Sequence, residues 1–353
     1  MSIALNQSEL AILHHPDQKT SWTVVATCYL DSSLTGTGAA RVCQMIESRL
    51  DTLSQSLPTV SSRIEGTFWI PASPPVVEVA TSDDRTPPSM LRRFDLANEP
   101  ALRILVGPDG HWVSFFVHHC ALDGARLIVA MKLLLCGVIP ATSPPPSPAK
   151  AQFPWAALKR VLLPANPVAR SSQRPDFDSF VARNLPIIGA GITSFLPMAC
   201  LAASCEFSKT RGKPCKRVGL SLGIALDGGA ENRSTYRRID SRASRNISEK
   251  IQRALSTPAE PWEIRHTSRY LKFLGVLAER ASDTVLLTNL GRQVMPGVTR
   301  MEGYPVARGR SGVSFAAVRL AGGDSTLTLR TRDINMSDAN WIIDRTIELL
   351  TQG

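Results

Sequence analysis

Several things are missing from this chain of 353 residues, and each absence removes a class of protein. Its seven cysteines are odd in number and scattered, at Cys28, Cys43, Cys120, Cys136, Cys200, Cys205 and Cys215, which argues against a secreted disulfide framework. No Cys or carboxylate stands at ligand spacing from the paired histidines, so no metal site is expected. The first ten residues, Met1 to Leu10, lack the basic region and long apolar core of a signal peptide, and a reduced, cytoplasmic setting is the expectation. One uncharged run, residues 184–205, is long enough to span a bilayer. It is interrupted by Pro186, Gly189, Gly191 and Pro197, so it reads as a core element and no stable membrane insertion is expected. Gly189-Ala190-Gly191 is too short for a dinucleotide site. No internal repeat is visible.

The charge is one-sided. A formal net charge of +10 favours an acidic or phosphorylated partner. The basic residues, as in Arg233 to Arg253 and Arg265 to Lys272, are dispersed. They come with no zinc-finger or RNA-recognition signature and no interleaved stacking aromatics, so they read as solvated surface and nucleic acid is not an expected partner.

Length and pattern predict two lobes. Trp22 to Leu30 is strand-like, and Thr37 to Leu57 carries Val42, Met45, Ile46, Leu50 and Leu53 at helical spacing. A proline-rich stretch, residues 139–150, reads as an extended connector between lobes 1–138 and 151–353. Beyond it, Gly219 to Leu226, Thr284 to Leu290, Val313 to Leu320 and Thr326 to Arg332 read as strands, and Ser337 to Leu350 as a closing helix.

The most informative stretch runs from Phe116 to Gly124, FVHHCALDG. The bulky, β-branched residues before it follow the turn Gly107-Pro108-Asp109-Gly110 and predict a strand. Alternation along that strand sets His119 with Val113, Phe115 and Val117, and His118 with Trp112, Ser114 and Phe116. One catalytic imidazole therefore fits better than two. Asp123 stands where a helix cap or loop brace is expected, before a segment with Leu127, Ile128, Met131, Leu134 and Leu135 on one face. Gly124 lets the backbone turn tightly or a substrate pass close. His119 is the candidate general base. Cys120 beside it is a competing nucleophile, but a small buried hydrophobe is the better reading. His14, His15, His111 and His266 read as surface or core histidines.

His118-His119-x-x-x-Asp123-Gly124 resembles the HHxxxDG signature of the acyltransferases that include chloramphenicol acetyltransferase, peptide-synthetase condensation domains, plant BAHD enzymes, wax ester synthases and polyketide-associated acyltransferases. Phe94 to Arg103, FDLANEPALR, is similar to the "FDL…PLLR" segment before the active strand, and Leu286 to Arg292, LLTNLGR, to the "SNLG" strand of the second half. The BAHD "DFGWG" motif is absent. The resemblance implies an α/β fold of two chloramphenicol-acetyltransferase-like α/β sandwich lobes with a tunnel between them.

It further implies that His119 is catalytic, that His118, Asp123 and Gly124 are structural at the active site, and that Thr288 and Asn289 are second-lobe oxyanion candidates. For Asn289 the competing reading is a turn residue bracing Gly291. The family pairs the Asp with an arginine after a "VPVDLR"-like strand. Here Leu226-Asp227-Gly228 ends in Gly at that place, leaving Arg233, Arg237 or Arg238 as substitutes. The implied activity is acyl transfer from an acyl-CoA or acyl carrier protein thioester to a hydroxyl or amine, in natural-product or lipid biosynthesis, with no bound cofactor. Its partners are CoA or an acidic acyl or peptidyl carrier protein and a small-molecule alcohol or amine. The alternative is a non-catalytic condensation-fold module that docks a carrier protein.

Overall fold

The computed structural model describes residues 2–15, 20–36, 38–138, 155–185, 192–225, 234–242, 247–256 and 282–352. The connector 139–150 lies outside them, as do His266, Arg233 and the Asp227-Gly228 strand end.

The first sheet grows from β7 (Trp112–His118), the strand that ends in the histidine pair. Its alternation supplies two cores at once. Val113, Phe115 and Val117 turn toward α6 (Gly124–Cys136), while Trp112 and Phe116 turn to the other face and meet Val25, Met90, Leu105 and Tyr304. Ser114, on that second face, shares a buried hydrogen bond of 2.7 Å with Thr27 on β2 (Thr23–Leu30). Strands β2 and β7 are antiparallel, with Thr23 opposite His118. Beyond β7 come β6 (Leu102–Val106) and β5 (Val77–Val79).

The far edge of that sheet comes from much later in the chain. β12 (Val298–Tyr304) pairs antiparallel with β2, setting Met301 opposite Cys28 and Tyr304 opposite Val25. Met295, Val298, Met301 and Val306 sit in the same core as α6. The sequence boundary at 139–150 therefore does not coincide with the boundary between sheets.

The second sheet has the order β10, β9, β11, β13, β14, β8. These strands are Ser234–Arg242 (β10), Arg217–Ala225 (β9), Val285–Gln293 (β11), Val313–Leu320 (β13), Ser325–Thr331 (β14) and Ser179–Asn184 (β8). β11 runs parallel to both neighbours, and the remaining pairs are antiparallel. Helix α8 (Ile192–Thr210) and the closing helix (Met336–Gln352) pack on this sheet through Leu196, Cys200, Phe207, Ile342 and Ile343. A small third sheet pairs β1 (Ile3–Ala4) and β3 (Ser62–Glu65) on either side of β4 (Phe68–Pro71). Among the described residues no helix is long and apolar enough to cross a membrane.

The expected long helix over 37–57 is two helices, α3 (Ala39–Glu47) and α4 (Leu50–Ser56). They break at Arg49, whose guanidinium donates at 2.7 Å to the Leu134 carbonyl in the last turn of α6. One of the carbonyls that a helix end leaves bare is thus satisfied by the residue at the break.

The two sheets are tied by Arg330 on β14. It is 1% exposed, holds Asp178 at 2.7 Å and donates to the Thr23 carbonyl of β2. Removing one member of a buried pair strands the other, so Arg330→Ala is expected to cost about 3–5 kcal/mol. Urea unfolding checks this, and a midpoint unchanged from the parent protein would contradict it.

Candidate active site

The backbone after β7 is closely bonded. The His119 N–H donates to the Trp22 carbonyl at 2.7 Å, and the Ala121 N–H to the His118 carbonyl at 2.8 Å. Thr59 donates its hydroxyl to the Ala121 carbonyl at 3.2 Å. His119 lies one residue past the strand, in a turn, so strict alternation governs His118 but not His119. Its ring is oriented by these loop bonds instead.

Hydrogen bonding fixes the tautomer of each ring. The Cys120 N–H donates to His118 Nδ1 at 3.2 Å, so that nitrogen carries no proton. His119 does the reverse. Its Nδ1 lies 3.3 Å from the Leu122 carbonyl, which can only accept, so the neutral ring keeps its proton on Nδ1 and its basic lone pair on Nε2. Both rings are half-buried. Burial pushes the His118 pKa down to about 3, with the charges of His119 and Arg103 acting in the same direction. Burial also holds His119 below the ordinary 6.5, opposed by the negative charge of Asp123.

Asp123 is buried and caps α6, accepting from the Arg126 N–H at 2.8 Å. The helix stops at Gly137, whose left-handed φ of 69° suits a residue without a Cβ. Cys120 is buried, its thiol is pushed up by burial, and its Sγ points at the Glu9 carbonyl. It packs rather than reacts.

The Phe94 to Arg103 segment buttresses the pair from one side. Arg103 donates to the carbonyls of Met90 at 3.0 Å and Arg92 at 2.9 Å, pairs with Glu99 at 2.7 Å, and lies 3.9 Å above the Phe94 ring. That ring meets His118 edge-on at 6.0 Å. On the other side Trp22 lies 6.2 Å from the His119 ring, and His15 stacks edge-on to Trp22 at 5.0 Å.

The second-half segment reaches the same loop. A Cβ at Gly124 would sit 3.4 Å from Leu290 of β11, and one at Gly303 of β12 would sit 3.0 Å from it. Leu290 is thus held between the motif loop and the borrowed edge strand. Thr288, two residues earlier, lies against Gly223, where a Cβ would meet its hydroxyl at 2.6 Å. Asn289 is exposed, and its side-chain oxygen accepts from the Gly291 N–H at 3.0 Å, the bracing contact weighed against an oxyanion role.

Two substitute arginines are engaged elsewhere. Arg238 pairs with Asp240 and Asp283, and Arg237 donates to the Ala254 carbonyl. Sequence reasoning missed Arg308, whose positive charge acts on His119 and whose guanidinium lies 4.6 Å from the Tyr236 ring. It also gave no role to Trp22. No signal short of the paired strands marks either residue.

The sequence matches no family model and no curated relative. Solved structures do match over nearly the whole chain. The starter condensation domain of rhizomide synthetase, solved as a variant in complex with C8-CoA and Leu-SNAC, aligns at TM-score 0.58 and 12% identity, over 99% of this chain and 94% of that one. The first condensation domain of the calcium-dependent antibiotic synthetase, with a substrate analogue, gives 0.59 and 12% over 99% and 95%. The condensation domain of the Monacolin K polyketide synthase MokA gives 0.56 and 11% over 100% and 97%. This chain has the condensation-domain fold. The two-lobe, chloramphenicol-acetyltransferase-like architecture that its motifs implied is the one observed. Among the described residues, no three His, Cys, Asp or Glu side chains cluster as metal ligands.

The depressed histidines have a consequence for stability. In the unfolded chain His118 takes up a proton near pH 6.5, whereas the folded chain resists protonation until about pH 3. Between these values the unfolded state binds more protons, so stability rises with pH across the window and falls as the solution is acidified. At about pH 5 His118 alone should cost roughly 1–2 kcal/mol relative to about pH 7. Urea midpoints at the two pH values, in the parent and in His118→Gln, measure this. An equal acid loss in both proteins would contradict it.

Proposed function

We propose that this chain is an acyltransferase that moves an acyl group from a thioester to a hydroxyl or amine, with His119 as general base. The observation that carries the reading is the bond between His119 Nδ1 and the Leu122 carbonyl, which leaves the proton-accepting lone pair on Nε2. A ring held neutral by its surroundings is ready to accept a proton at pH 7. We read residues 1–138 and 151–353 as the two lobes, with β12 and β11 of the second reaching back to the motif loop.

The chemistry follows from that lone pair. Nε2 takes the proton of the acceptor as its oxygen or nitrogen attacks the thioester carbon, a tetrahedral oxyanion forms, and the same proton passes to the departing thiolate. No acyl-enzyme is needed. His118 serves the site by filling the space under Phe94 and bonding the Cys120 amide, and Asp123 by starting α6 and placing negative charge beside the His119 ring. Two second-lobe donors are open to the oxyanion, the Thr288 hydroxyl and the Asn289 side-chain NH2, whose amide oxygen is held by the Gly291 N–H.

CoA and carrier protein both suit the donor role. A structure of the same fold holds C8-CoA together with Leu-SNAC, a pairing of acyl thioester and amine that matches the proposed reaction. The chain's positive charge favours either a CoA phosphate or an acidic carrier. A biosynthetic role in natural-product assembly fits the synthetases to which the similar structures belong.

Free thiol release from acyl-CoA or acyl carrier protein, with and without an amine or alcohol acceptor, tests the proposal. His119→Ala should lower acceptor-dependent release by about 10²–10⁴-fold. Asp123→Ala should also lose the helix cap, worth about 1 kcal/mol in a urea titration. Undiminished turnover in His119→Ala would remove the general-base assignment. Carrier binding without thiol release from any donor would instead mark a docking module.

A further inference from the structure

A concave site lies at the end of the second sheet away from the histidine pair. It has a volume of about 280 Å³ and is lined by Lys159 of α7 (Trp155–Leu162), Arg217, Asp240, Arg242 and Lys250 among others. Arg217 begins β9, and on the same strand Gly223 faces Thr288 of the candidate active site. From residue 217 to residue 223 the extended strand covers about 20 Å. The site is therefore separate from the one built around His119.

Its charges are unbalanced in a way a sheet edge does not require. Arg217 and Arg242 are directly opposite partners on the antiparallel β9–β10 pair. Like charges in that position repel and destabilise the hairpin. Asp240 is the carboxylate at hand, and Arg160 at 2.9 Å and Arg238 at 3.1 Å already share it. Lys250 donates to the Asp240 carbonyl at 2.9 Å and to the Ser241 hydroxyl at 3.4 Å, which leaves one ammonium proton over. Lys159, Arg217 and Arg242 make no ion pair among the described residues. A hollow lined by two arginines paired across the strands and by two lysines suits a multiply charged oxyanion. A single carboxylate would leave most of that charge unanswered.

We propose that this hollow binds a phosphate-bearing ligand, with Arg217 and Arg242 gripping the phosphate oxygens and Lys159 and Lys250 completing the cradle. Bound phosphate then supplies the negative charge that the facing arginines lack. The site's volume suits a phosphate group and its immediate substituent. The phosphate could be carried by a soluble molecule or by a lipid headgroup, and the test separates the two.

The full chain is titrated with inorganic pyrophosphate by calorimetry and sedimented with phosphatidylcholine vesicles with and without phosphatidic acid. Two variants accompany it, Arg242→Glu and the double variant Arg217→Gln/Arg242→Gln. The parent protein is expected to bind pyrophosphate or the phosphatidic acid vesicles, and both variants to bind at least tenfold more weakly. Arg242→Glu should at the same time raise Tm by roughly 1–2 °C, because it turns a repulsive cross-strand pair into an attractive one. A lost site therefore cannot be mistaken for a lost fold. Pyrophosphate binding alone assigns a soluble ligand, and vesicle binding alone a lipid headgroup. Failure of the parent protein to bind either probe, or undiminished binding by both variants, would overturn the proposal.

Discussion

Everything around the histidine pair depends on a strand that the first sheet takes from the far part of the chain. β12 closes the open edge of β2, and β2 is the strand whose neighbouring Trp22 carbonyl holds the His119 amide. Without that partner β2 would present unpaired backbone groups at a sheet edge. Gly303 of the same strand makes room for Leu290, which lies over Gly124 at the start of α6. The candidate base, the helix that follows it and the second-lobe segment are thus placed by one antiparallel pairing. Arg330 adds a second tie, joining β14 to the Thr23 carbonyl on the same β2.

The electrostatics of the pair follow from this enclosure. A ring largely covered by its neighbours loses much of the solvation that an imidazolium needs, and both histidines are depressed for that reason first. They differ in what their Nδ1 atoms meet. An amide donor at His118 holds one ring with its lone pair occupied, while a carbonyl acceptor at His119 turns the other ring's lone pair to Nε2. Two adjacent identical residues are given opposite tautomers by neighbours two and three positions away.

Much of this was legible in the sequence, because it is local. The strand into the histidines, the Asp123 cap and the α6 face are set by alternation, capping and helical spacing within a short window. The strands around 217–225, 313–320 and 325–331 and the closing helix fell within a residue or two of their expected limits. What could not be read is non-local. Nothing in VTRMEGY says that it pairs with a strand some 270 residues earlier rather than with its own sheet. The break at Arg49 was hidden because its cause, the Leu134 carbonyl, belongs to another helix. Arg237 and Arg238 looked suitable as partners for Asp123 by position alone, yet the pairing of β10 with β9 turns them to Ala254, Asp240 and Asp283. The FDL…R segment was visible as a motif, but its purpose, an arginine gathering loop carbonyls beneath the ring that touches His118, needed coordinates.

The borrowed strand also bears on how the molecule comes into being. A ribosome that has finished residue 138 has made the other four strands of the first sheet, yet the fifth arrives only at residues 298–304. At ordinary elongation rates that gap lasts roughly 10–30 s. Through this interval the nascent β2 has no lateral neighbour on one side, so the histidine pair acquires its final setting only after residues 298–304 have been made.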